Sequence, residues 1–347
     1  MWNNFQADEL LFTSRGTAAL NILLTCHPEI THLLLPVNIC EIVIAPLLKL
    51  GIHISYYDVN ENSGNAQLTH IKEAYTSEQQ ALLVVHNFGN PLAITTIKKW
   101  CTEHRIFLIE DVCNALGATY DKKLLGTFGD AAIFSFGYAK IIELGIGGAL
   151  RIENVDKRQL AAQKINSLDV LDKEVYLHTD KLFQNNINHY RKNKDWQALA
   201  TIYQEYTNGF NVQPDKQTIE EIKAELIKLP DNITSRNAHA LTYEAGLTNP
   251  GIIKIPLEPG SVVWRYTFLI KNADKRDDFI AFLRKNDILC STWFPPIHHI
   301  FSGTKDEKKF PRASSFGKRV VNLFVDFRVN PAIVDKTILL INQYSFS

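Results

Sequence analysis

The sequence predicts an α/β protein with two parts: a large domain on a mainly parallel sheet with helices on both faces, and a small C-terminal α+β domain. In the first half, short runs of leucine and β-branched residues alternate with longer amphipathic segments. Strands that are apolar throughout are typical of parallel sheets, in which both faces are buried. Beyond about residue 240 the pattern changes to a strand, a helix, a second strand and a closing helix, which favours a separate α+β unit.

The composition fits this architecture and excludes several classes of protein. Hydrophobic residues make up 46% and charged residues 21% of the 347 residues, which allows a large core and excludes a disordered or collagen-like chain. Lys and Arg together number 37, as do Asp and Glu, so the formal net charge is zero. Nucleic-acid binders usually carry a basic excess, so we expect small-molecule substrates and no nucleic-acid partner.

In the large domain, the predicted strands follow the short apolar runs, and the helices fill the segments between them. Strands are expected at 31–37, 52–59, 81–88, 105–112, 131–137 and 147–153. Helices are expected at 39–50, with a kink at Pro46, at 68–74 and at 93–104. The polar segment 155–245 is predicted to be rich in helices.

The C-terminal domain is predicted from a second set of strands and helices. Strands are expected at 264–270 and 319–327, and helices at 275–285 and 331–344. Pro331 suits the first turn of the last helix, where no N–H group is needed. Because LPDN and LEPG interrupt the pattern between 230 and 260, we divide the chain into domains 1–240 and 241–347.

The cysteines and the apolar segments bear on the compartment. Five cysteines are spread along the chain without a C-x-x-C pair: Cys26, Cys40, Cys101, Cys113 and Cys290. This pattern predicts neither a disulfide framework nor a metal site, and reduced thiols favour the cytoplasm. The first ten residues, MWNNFQADEL, lack the features of a signal peptide. The apolar stretch 33–54 is interrupted by prolines and charged residues, so no membrane-spanning helix is expected.

Ligands of parallel α/β sheets gather at the carboxyl ends of the strands, and four sequence features fall at such positions. The first is SRGTAAL (14–20), a turn that leads into a helix. The free N–H groups of a helix start bind phosphate, and Gly16 allows a close approach. Taken alone, a helix cap by Ser14 or Thr17 is the simpler interpretation.

The other three features lie further along the chain. Glu110 and Asp111 end a strand, where a carboxylate holds a protonated ring nitrogen or a ribose hydroxyl, although an isolated acid is more often a solvated loop residue. Ser135 and Lys140 follow another strand, and a lysine is nucleophilic when its amine is partly neutral, whereas most lysines are surface residues. The cluster GIGG (145–148) suits either a close backbone passage or a tight turn.

In combination, these features supply what pyridoxal 5'-phosphate requires of a protein. The cofactor needs a lysine for a Schiff base, an acid opposite its pyridine nitrogen and a phosphate-binding turn. A charge-assisted hydrogen bond to the protonated ring nitrogen is worth about 1.5–3 kcal/mol. We therefore expect pyridoxal 5'-phosphate as the cofactor.

The sequence resembles the pyridoxal-phosphate-dependent sugar aminotransferases of the DegT/DnrJ/StrS type, which have fold type I. SRGTAAL resembles the family's phosphate turn S-G-T-A-A-L, and VVHNFGNP resembles V-H-x-x-G-Q-P. The segment from IEDVCNALGATY to IIELGIGGAL is similar to the family's I-E-D-x-A-Q-A-x-G-A-x-Y … F-S-F … K … G-x-G-G pattern nearly throughout. The resemblance extends from about residue 10 to the C-terminus.

This resemblance implies an activity and a quaternary structure. An amino group would pass from an amino acid such as glutamate to a keto-sugar, linked to a nucleotide, in the synthesis of a surface polysaccharide or a specialised metabolite. The enzyme would be a homodimer with its active sites at the interface. Lys140 would form the Schiff base and move the proton, Asp111 would pair with the ring nitrogen, and Asn114 would contact the ring hydroxyl.

The resemblance also assigns the phosphate site and shows where this chain departs from the family. Gly16, Thr17 and Ser135 would hold the phosphate, and Asn211 would reach the phosphate in the partner subunit. Arg15 replaces a small residue and would strengthen phosphate binding or bind a substrate carboxylate. Cys40 stands where an aromatic residue usually stacks on the cofactor ring.

Three alternatives remain open from the sequence. Arg265 either faces the substrate or forms a structural ion pair. A sugar dehydratase would keep the cofactor, but in the family such members tend to replace the lysine by histidine, so Lys140 counts against this function. A non-catalytic role would fit the fact that only 15 residues precede Gly16, but the retained Asp111 and Ser135 count against it.

Overall fold

The structure is a computed structural model that describes residues 9–193, 195–302 and 308–346. The first eight residues, which belong to the segment expected to lack a signal peptide, lie outside the described residues. None of the helices in the described residues combines the length and the apolar character that a membrane span requires.

The structure contains a series of strands and helices that agrees closely with the sequence prediction. The strands are β1 (Leu10–Thr13), β2 (His32–Pro36), β3 (His53–Tyr57), β4 (Ala81–Val85), β5 (Phe107–Asp111), β6 (Thr119–Tyr120), β7 (Lys123–Leu124), β8 (Ala131–Ser135), β9 (Gly148–Ile152), β10 (Ile252–Lys254), β11 (Tyr266–Ile270), β12 (Cys290–Ser291) and β13 (Val320–Leu323). The helices are α1 (Gly16–Cys26), α2 (Ile44–Leu50), α3 (Leu68–Ala74), α4 (Ile94–His104), α5 (Val155–Asn166), α6 (Lys173–Asn193), α7 (Trp196–Phe210), α8 (Lys216–Gly246), α9 (Arg276–Lys285), α10 (His298–Ser302), α11 (Pro311–Arg319) and α12 (Pro331–Gln343).

The central sheet has seven strands in the order β1-β9-β8-β5-β4-β2-β3. Neighbouring strands from β3 to β8 are parallel, whereas β9 is antiparallel to both β8 and β1. The register pairs Val85 with Asp111 and Asp111 with Ile133, so the carboxyl ends of β4, β5 and β8 lie side by side. The predicted α/β fold with a mainly parallel sheet is therefore confirmed.

Each face of this sheet is covered by its own apolar cluster. Successive residues of a strand point to opposite faces, and in β4 both Leu82 and Leu83 are fully buried, in different clusters. Helices α1, α2, α5, α6 and α7 contribute to the cluster around Leu83, and α4 and α8 to the cluster around Leu82. Burial on both faces explains why the strands are apolar throughout.

A second sheet, in the order β10-β11-β13-β12, is antiparallel throughout. Its apolar cluster includes Phe268, Phe279 and Val334, which lie on β11, α9 and α12. Helix α8 runs without a break from Lys216 to Gly246, across the proposed boundary at residue 240. The division into 1–240 and 241–347 stays a prediction.

The short strands β6, β7, β10 and β12 and the helices α10 and α11 were not predicted, and two further differences have physical reasons. Strand β1 was not predicted, because it has only four residues and is held at the sheet edge by β9 from far along the chain. The segment 39–50 begins with a 3-10 turn at Glu41–Val43, and α2 starts at Ile44. Pro46 thus lies in the first turn of α2, where its missing N–H group costs nothing and causes no kink.

Candidate active site

A cavity of about 390 Å³ lies at the carboxyl ends of the central strands. Its walls come from the strand ends, from helices α6 and α7, and from residues 264–265 and 293–294 of the C-terminal part. The volume is within the range of small-molecule sites in proteins. Its position matches the rule that ligands of open α/β sheets bind beyond the strand ends.

The cavity brings together all but one of the predicted site residues. Its lining includes Arg15, Gly16, Thr17, Asp111, Asn114, Ser135 and Lys140. Asn211 does not line it: the residue caps the C-terminus of α7, and its Oδ1 accepts a hydrogen bond from Asn21 at 3.1 Å. A role for Asn211 in a partner subunit stays a prediction.

The N-terminus of α1 opens into the cavity without a capping side chain. Arg15 occupies the N-cap position in an extended conformation, and none of the described side chains makes the cap hydrogen bond. The interpretation of Ser14 as a cap is wrong, because its hydroxyl donates to the carbonyl oxygen of Phe210. Thr17 lies within the helix and does not cap it either. Uncapped first-turn N–H groups form an anion site, so this helix end remains available for a phosphate.

Glycine is required where this turn touches its neighbours. A Cβ atom at Gly16 would lie 3.2 Å from Cβ of Ser135 and 3.3 Å from Sγ of Cys113. A Cβ atom at Gly148 would lie only 2.6 Å from the backbone nitrogen of Gly16. Gly148 therefore serves a close backbone passage, whereas Gly145 and Gly147, with φ of 75° and 101°, serve a turn, so both alternatives that the sequence left open apply.

Asp111 is a buried carboxylate with no cationic partner among the described residues. Its side chain ends β5 in a residue that is only 4% exposed, and Oδ1 accepts a hydrogen bond from the backbone N–H of Cys113 at 2.9 Å. Buried charges are usually paired, and an unpaired one inside a cavity points to a cationic atom on a ligand. The structure thus excludes the alternative of a solvated loop acid for Asp111.

The neighbouring carboxylate, Glu110, has a different role. It is fully buried on the opposite side of β5 and accepts hydrogen bonds from the backbone N–H groups of Gly126, Phe128 and Gly129 at 2.9, 2.8 and 2.6 Å. His86 Nε2 lies 3.3 Å from its second oxygen. Burial alone raises the pKa of Glu110, but His86 and the N–H donors outweigh burial and lower it below the ordinary value. Glu110 therefore organises the 126–129 loop and does not face the cavity.

Lys140 reaches the cavity from a loop that other segments hold in place. Its Nζ donates to Oδ1 of Asn114 at 3.2 Å. The guanidinium of Arg236, on α8, donates to the carbonyl oxygens of Lys140 and Ile141 at 3.4 and 3.3 Å. The indole N–H of Trp264 donates to the carbonyl of Ala139 at 2.5 Å. Lys140 is thus a fixed cavity residue and not an ordinary surface lysine.

Arg15 has a partner that the sequence did not predict. Its guanidinium donates to Asp180 on α6 at 2.9 Å. The guanidinium carbon lies 4.4–5.3 Å from the ring centroids of Tyr176, Tyr206 and Phe210. Its charge is therefore already paired, and a direct contact of its side chain with a phosphate stays a prediction.

Sequence reasoning missed the wall formed by α6 and α7. This wall consists of Gln184, Ile187, Asn188 and Arg191 from α6 and of Tyr203 and Tyr206 from α7. The α6 residues recur at helical spacing, which is the signal that indicates one shared face. Two buried polar atoms in the cavity, Oη of Tyr206 and Oδ1 of Asn87, have no hydrogen-bond partner among the described residues. Such atoms require a ligand or water for satisfaction.

The five cysteines are all free. Within the described ranges, no group of three or more His, Cys, Asp or Glu side chains has an arrangement that could hold a metal ion.

Comparison with known proteins identifies the family of this arrangement. The model of the DegT/DnrJ/EryC1/StrS aminotransferase family matches residues 5–341. GDP-perosamine synthase of Vibrio cholerae is 24% identical over 314 residues, which are 89% of this chain and 79% of that protein. The dTDP-4-dehydro-2,6-dideoxy-D-glucose 3-dehydratase of Saccharopolyspora spinosa is 39% identical over 107 residues, 31% of this chain but only 23% of that protein.

A solved structure shares the fold. The GDP-4-keto-6-deoxy-D-mannose-3-dehydratase of E. coli with bound hydrated pyridoxal phosphate superposes with a TM-score of 0.75 at 19% identity, over 98% of this chain and 89% of that chain. The match confirms the predicted architecture.

Proposed function

The chain belongs to the DegT/DnrJ/EryC1/StrS aminotransferase family, and on that premise we propose that it transfers an amino group from an amino acid to a nucleotide-linked keto-sugar. It is an aminotransferase, and pyridoxal 5'-phosphate is its cofactor. The keto-sugar class is supported by the similarity to a perosamine synthase over 89% of this chain and 79% of that protein. The amino donor and the biosynthetic role in a polysaccharide or specialised metabolite belong to the proposal.

The residues of the cavity fit the cofactor. Asp111 supplies the buried anion that a protonated pyridine nitrogen requires. The uncapped end of α1 supplies N–H groups for the phosphate, next to the hydroxyl groups of Thr17 and Ser135. Lys140 supplies the amine. Lys140 and an unpaired, buried Asp111 in one cavity with an open helix N-terminus are the observation that carries the proposal.

The chemistry of the site follows from these groups. When bound, the cofactor supplies an aldehyde that takes up nitrogen and a cationic ring that withdraws electrons from the reacting carbon. Asp111 would keep the ring nitrogen protonated, because a nearby negative charge raises the basicity of that nitrogen. Lys140 Nζ would take the proton from the substrate carbon and return it at the cofactor carbon. In the structure Asn114 orients Nζ by accepting a hydrogen bond from it at 3.2 Å.

The half-reaction with an amino donor tests this function. Purified holoenzyme should be yellow, and added glutamate should bleach the colour and release one 2-oxoglutarate per site. The variant Lys140→Ala, which lacks the amine, should do neither. Wild-type holoenzyme that releases no keto acid from any amino donor would rule out the aminotransferase function.

A dehydratase is the second candidate, because a dehydratase relative shows the 39% identity over part of the chain. Lys140 disfavours it, since the amine that an aminotransferase requires is retained. The two functions differ in their products. A nucleotide-linked keto-sugar that loses water without taking up nitrogen from glutamate would favour the dehydratase.

We also propose a homodimer in the cytoplasm. Two aromatic side chains of the cavity lining, Tyr138 and Trp293, are 72% and 39% exposed, and Phe327 is 77% exposed. Tyr138 and Phe327 both pack against the guanidinium of Arg328, whose carbon lies 5.6 and 4.4 Å from their ring centroids, and an exposed apolar patch of this kind favours a partner surface. Light scattering at increasing protein concentration measures the mass in solution, and a monomer throughout would contradict the homodimer. The free thiols support the cytoplasmic compartment.

A further inference from the structure

Arg265 is a buried cation in the cavity wall that the chemistry described so far does not use. The residue precedes β11, lines the cavity and is only 5% exposed. Its guanidinium carbon lies 4.3 Å from the ring centroid of Trp264 and 4.0 Å from that of Phe324. The two rings hold the planar group in a defined orientation.

The charge of Arg265 lacks a counter-ion within the described part of the chain. Its Nη1 donates to the hydroxyl of Ser291, and no carboxylate lies within ion-pair distance. The acid that acts most on it, Asp326, is held by Arg328 at 2.8 Å. The structural ion pair that the sequence left open for Arg265 is therefore not formed.

Burial disfavours the charged form of Arg265 but does not neutralise the side chain. Desolvation lowers the pKa of Arg265 to about 10, while Asp326 opposes this change. The guanidinium thus stays protonated at neutral pH. A guanidinium carries five N–H donors, and hydroxyl contact with Ser291 uses one of them. A buried cation with free donors in a cavity requires an anionic ligand.

The other arginines of the cavity differ in this respect. Arg15 is paired with Asp180, and Arg191 is in contact with the carboxylate of Glu41. Arg265 is the arginine in the described lining that has no carboxylate partner. Arg265 thus differs from Arg15 and Arg191, whose charges are paired with carboxylates of the protein itself.

Arg265 is also tied to the segment that carries Lys140. The indole of the preceding residue, Trp264, donates to the carbonyl of Ala139. Arg236 bridges the carbonyl of Trp264, at 3.1 Å, and the carbonyl of Lys140. These bonds fix the backbone of Arg265 relative to the backbone of the reactive lysine.

We propose that Arg265 binds the carboxylate of the amino donor. This inference deepens the proposed function and rests on it. The α-carboxylate is attached to the same carbon as the amine that reacts, so its binding group must lie near Lys140. The phosphates of a nucleotide-linked sugar are separated from the keto carbon by atoms of the sugar ring. A guanidinium fork binds the two oxygens of a carboxylate side by side, which a lysine cannot do.

The test measures carboxylate binding by holoenzyme directly. Isothermal titration calorimetry with glutarate, an unreactive dicarboxylate, is compared between wild type and Arg265→Gln. We expect glutarate to bind wild type and to bind the variant about 10- to 100-fold more weakly, as expected for loss of a charge-assisted contact. Arg265→Lys keeps the charge without the fork and should fall between them. If Arg265→Gln does not fold, the glutarate affinity of Arg265→Lys relative to wild type provides the test.

A control removes the charge of an arginine that lies outside this cavity and has an internal partner. Arg312 is absent from the cavity lining, and its guanidinium is paired with Glu73 at 2.9 Å. Arg312→Gln should change glutarate affinity less than about threefold. If the control variant lost as much glutarate affinity as Arg265→Gln, the loss would reflect only the overall charge of the protein. That result would overturn the assignment.

Steady-state kinetics then distinguish whether Arg265 binds the carboxylate of the amino donor or a phosphate of the sugar nucleotide. In Arg265→Gln the KM for glutamate should rise about 10- to 100-fold, with the KM for the keto-sugar nucleotide changed less than about threefold. A rise confined to the nucleotide substrate would identify a phosphate contact and overturn the proposal, as would unchanged glutarate binding or a wild type that does not bind glutarate. If glutarate binds through Arg265 but glutamate yields no 2-oxoglutarate, the carboxylate site stands and the aminotransferase function fails.

Discussion

The carboxylate of Glu110 offers a quantitative test of how the site is organised. We consider the substitution Glu110→Gln, which keeps the shape of the side chain and removes its charge. One oxygen of Glu110 accepts the N–H groups of Phe128 and Gly129, and the other accepts that of Gly126. A glutamine has one oxygen and one NH₂ group, so in either orientation its NH₂ group faces at least one N–H donor.

The cost follows from these contacts. A buried N–H group without an acceptor costs about 1–3 kcal/mol. The two remaining hydrogen bonds lose the assistance of the negative charge, which is about 1 kcal/mol each from the difference between charged and neutral hydrogen bonds. We therefore expect Glu110→Gln to lower the free energy of unfolding by about 3–5 kcal/mol at neutral pH. Because Asp111 follows directly, affinity for the cofactor should fall as well.

The pH dependence has a defined sign. The pKa of Glu110 in the folded protein is lower than its ordinary value of 4.5, because hydrogen bonds to His86, Gly126 and Gly129 outweigh burial. The charged carboxylate thus contributes stability that is fully present above 4.5 and is lost as the pH falls through the lower folded value. Glutamine does not titrate. The difference between wild type and variant should therefore be constant near neutrality and shrink in acid.

Urea unfolding followed by far-UV circular dichroism, at neutral pH and at a series of lower values, measures this difference. Glu153 is an exposed glutamate at the end of β9, so Glu153→Gln is the matched control and should change stability by less than about 0.5 kcal/mol. A cost below about 1 kcal/mol for Glu110→Gln, or a cost that does not vary with pH in acid, would refute the reasoning.

Three further predictions follow from other contacts of the site. Lys140→Ala should abolish the yellow colour and lower turnover at least about 100-fold, and borohydride followed by peptide mapping should label Lys140 in wild type; an unlabelled Lys140 would contradict its role. Arg236→Met should lower the free energy of unfolding by about 2–4 kcal/mol in urea titrations, because it leaves the carbonyl oxygens of Lys140, Ile141 and Trp264 without their hydrogen-bond donor. A change under about 1 kcal/mol would argue against the importance of these hydrogen bonds. Gly16→Ala should weaken cofactor binding about tenfold in spectroscopic titrations, because its Cβ would press on Ser135, and wild-type affinity would contradict the tight fit.

The sequence predicted the central sheet well because local pattern and tertiary environment agree there. The runs in β4 and β5 are apolar on both faces, and the sheet buries both faces. The strand pattern alone was enough to predict that Asp111 lies at the carboxyl end of the sheet, without information about distant contacts. Strand β1 escaped prediction because its stability comes from pairing with β9 and not from its own four residues.

The wall formed by α6 and α7 could not be predicted in the same way. Apart from Ile187, its α6 residues are polar and recur at helical spacing, which is also the pattern of a solvent-facing helix. The packing of α6 on α7, and of α7 on α2, brings this face to the cavity, and these are distant contacts. Likewise, the local sequence favours Ser14 as a helix cap, but its hydroxyl donates to the carbonyl oxygen of Phe210, almost 200 positions away.

Charge pairing separates the structural residues of this site from the ligand-binding ones. Glu110 and Asp111 are adjacent, buried and of the same chemistry, yet Glu110 has four donors from the protein and Asp111 has one. Arg236 and Arg265 show the same contrast among cations, since Arg236 bridges several carbonyl oxygens while Arg265 has one hydroxyl partner. The two incompletely paired charges have opposite signs and line one cavity. A ligand complementary to them carries a cationic nitrogen at Asp111 and an anionic group at Arg265, which is the combination that a protonated cofactor ring and a donor carboxylate provide together.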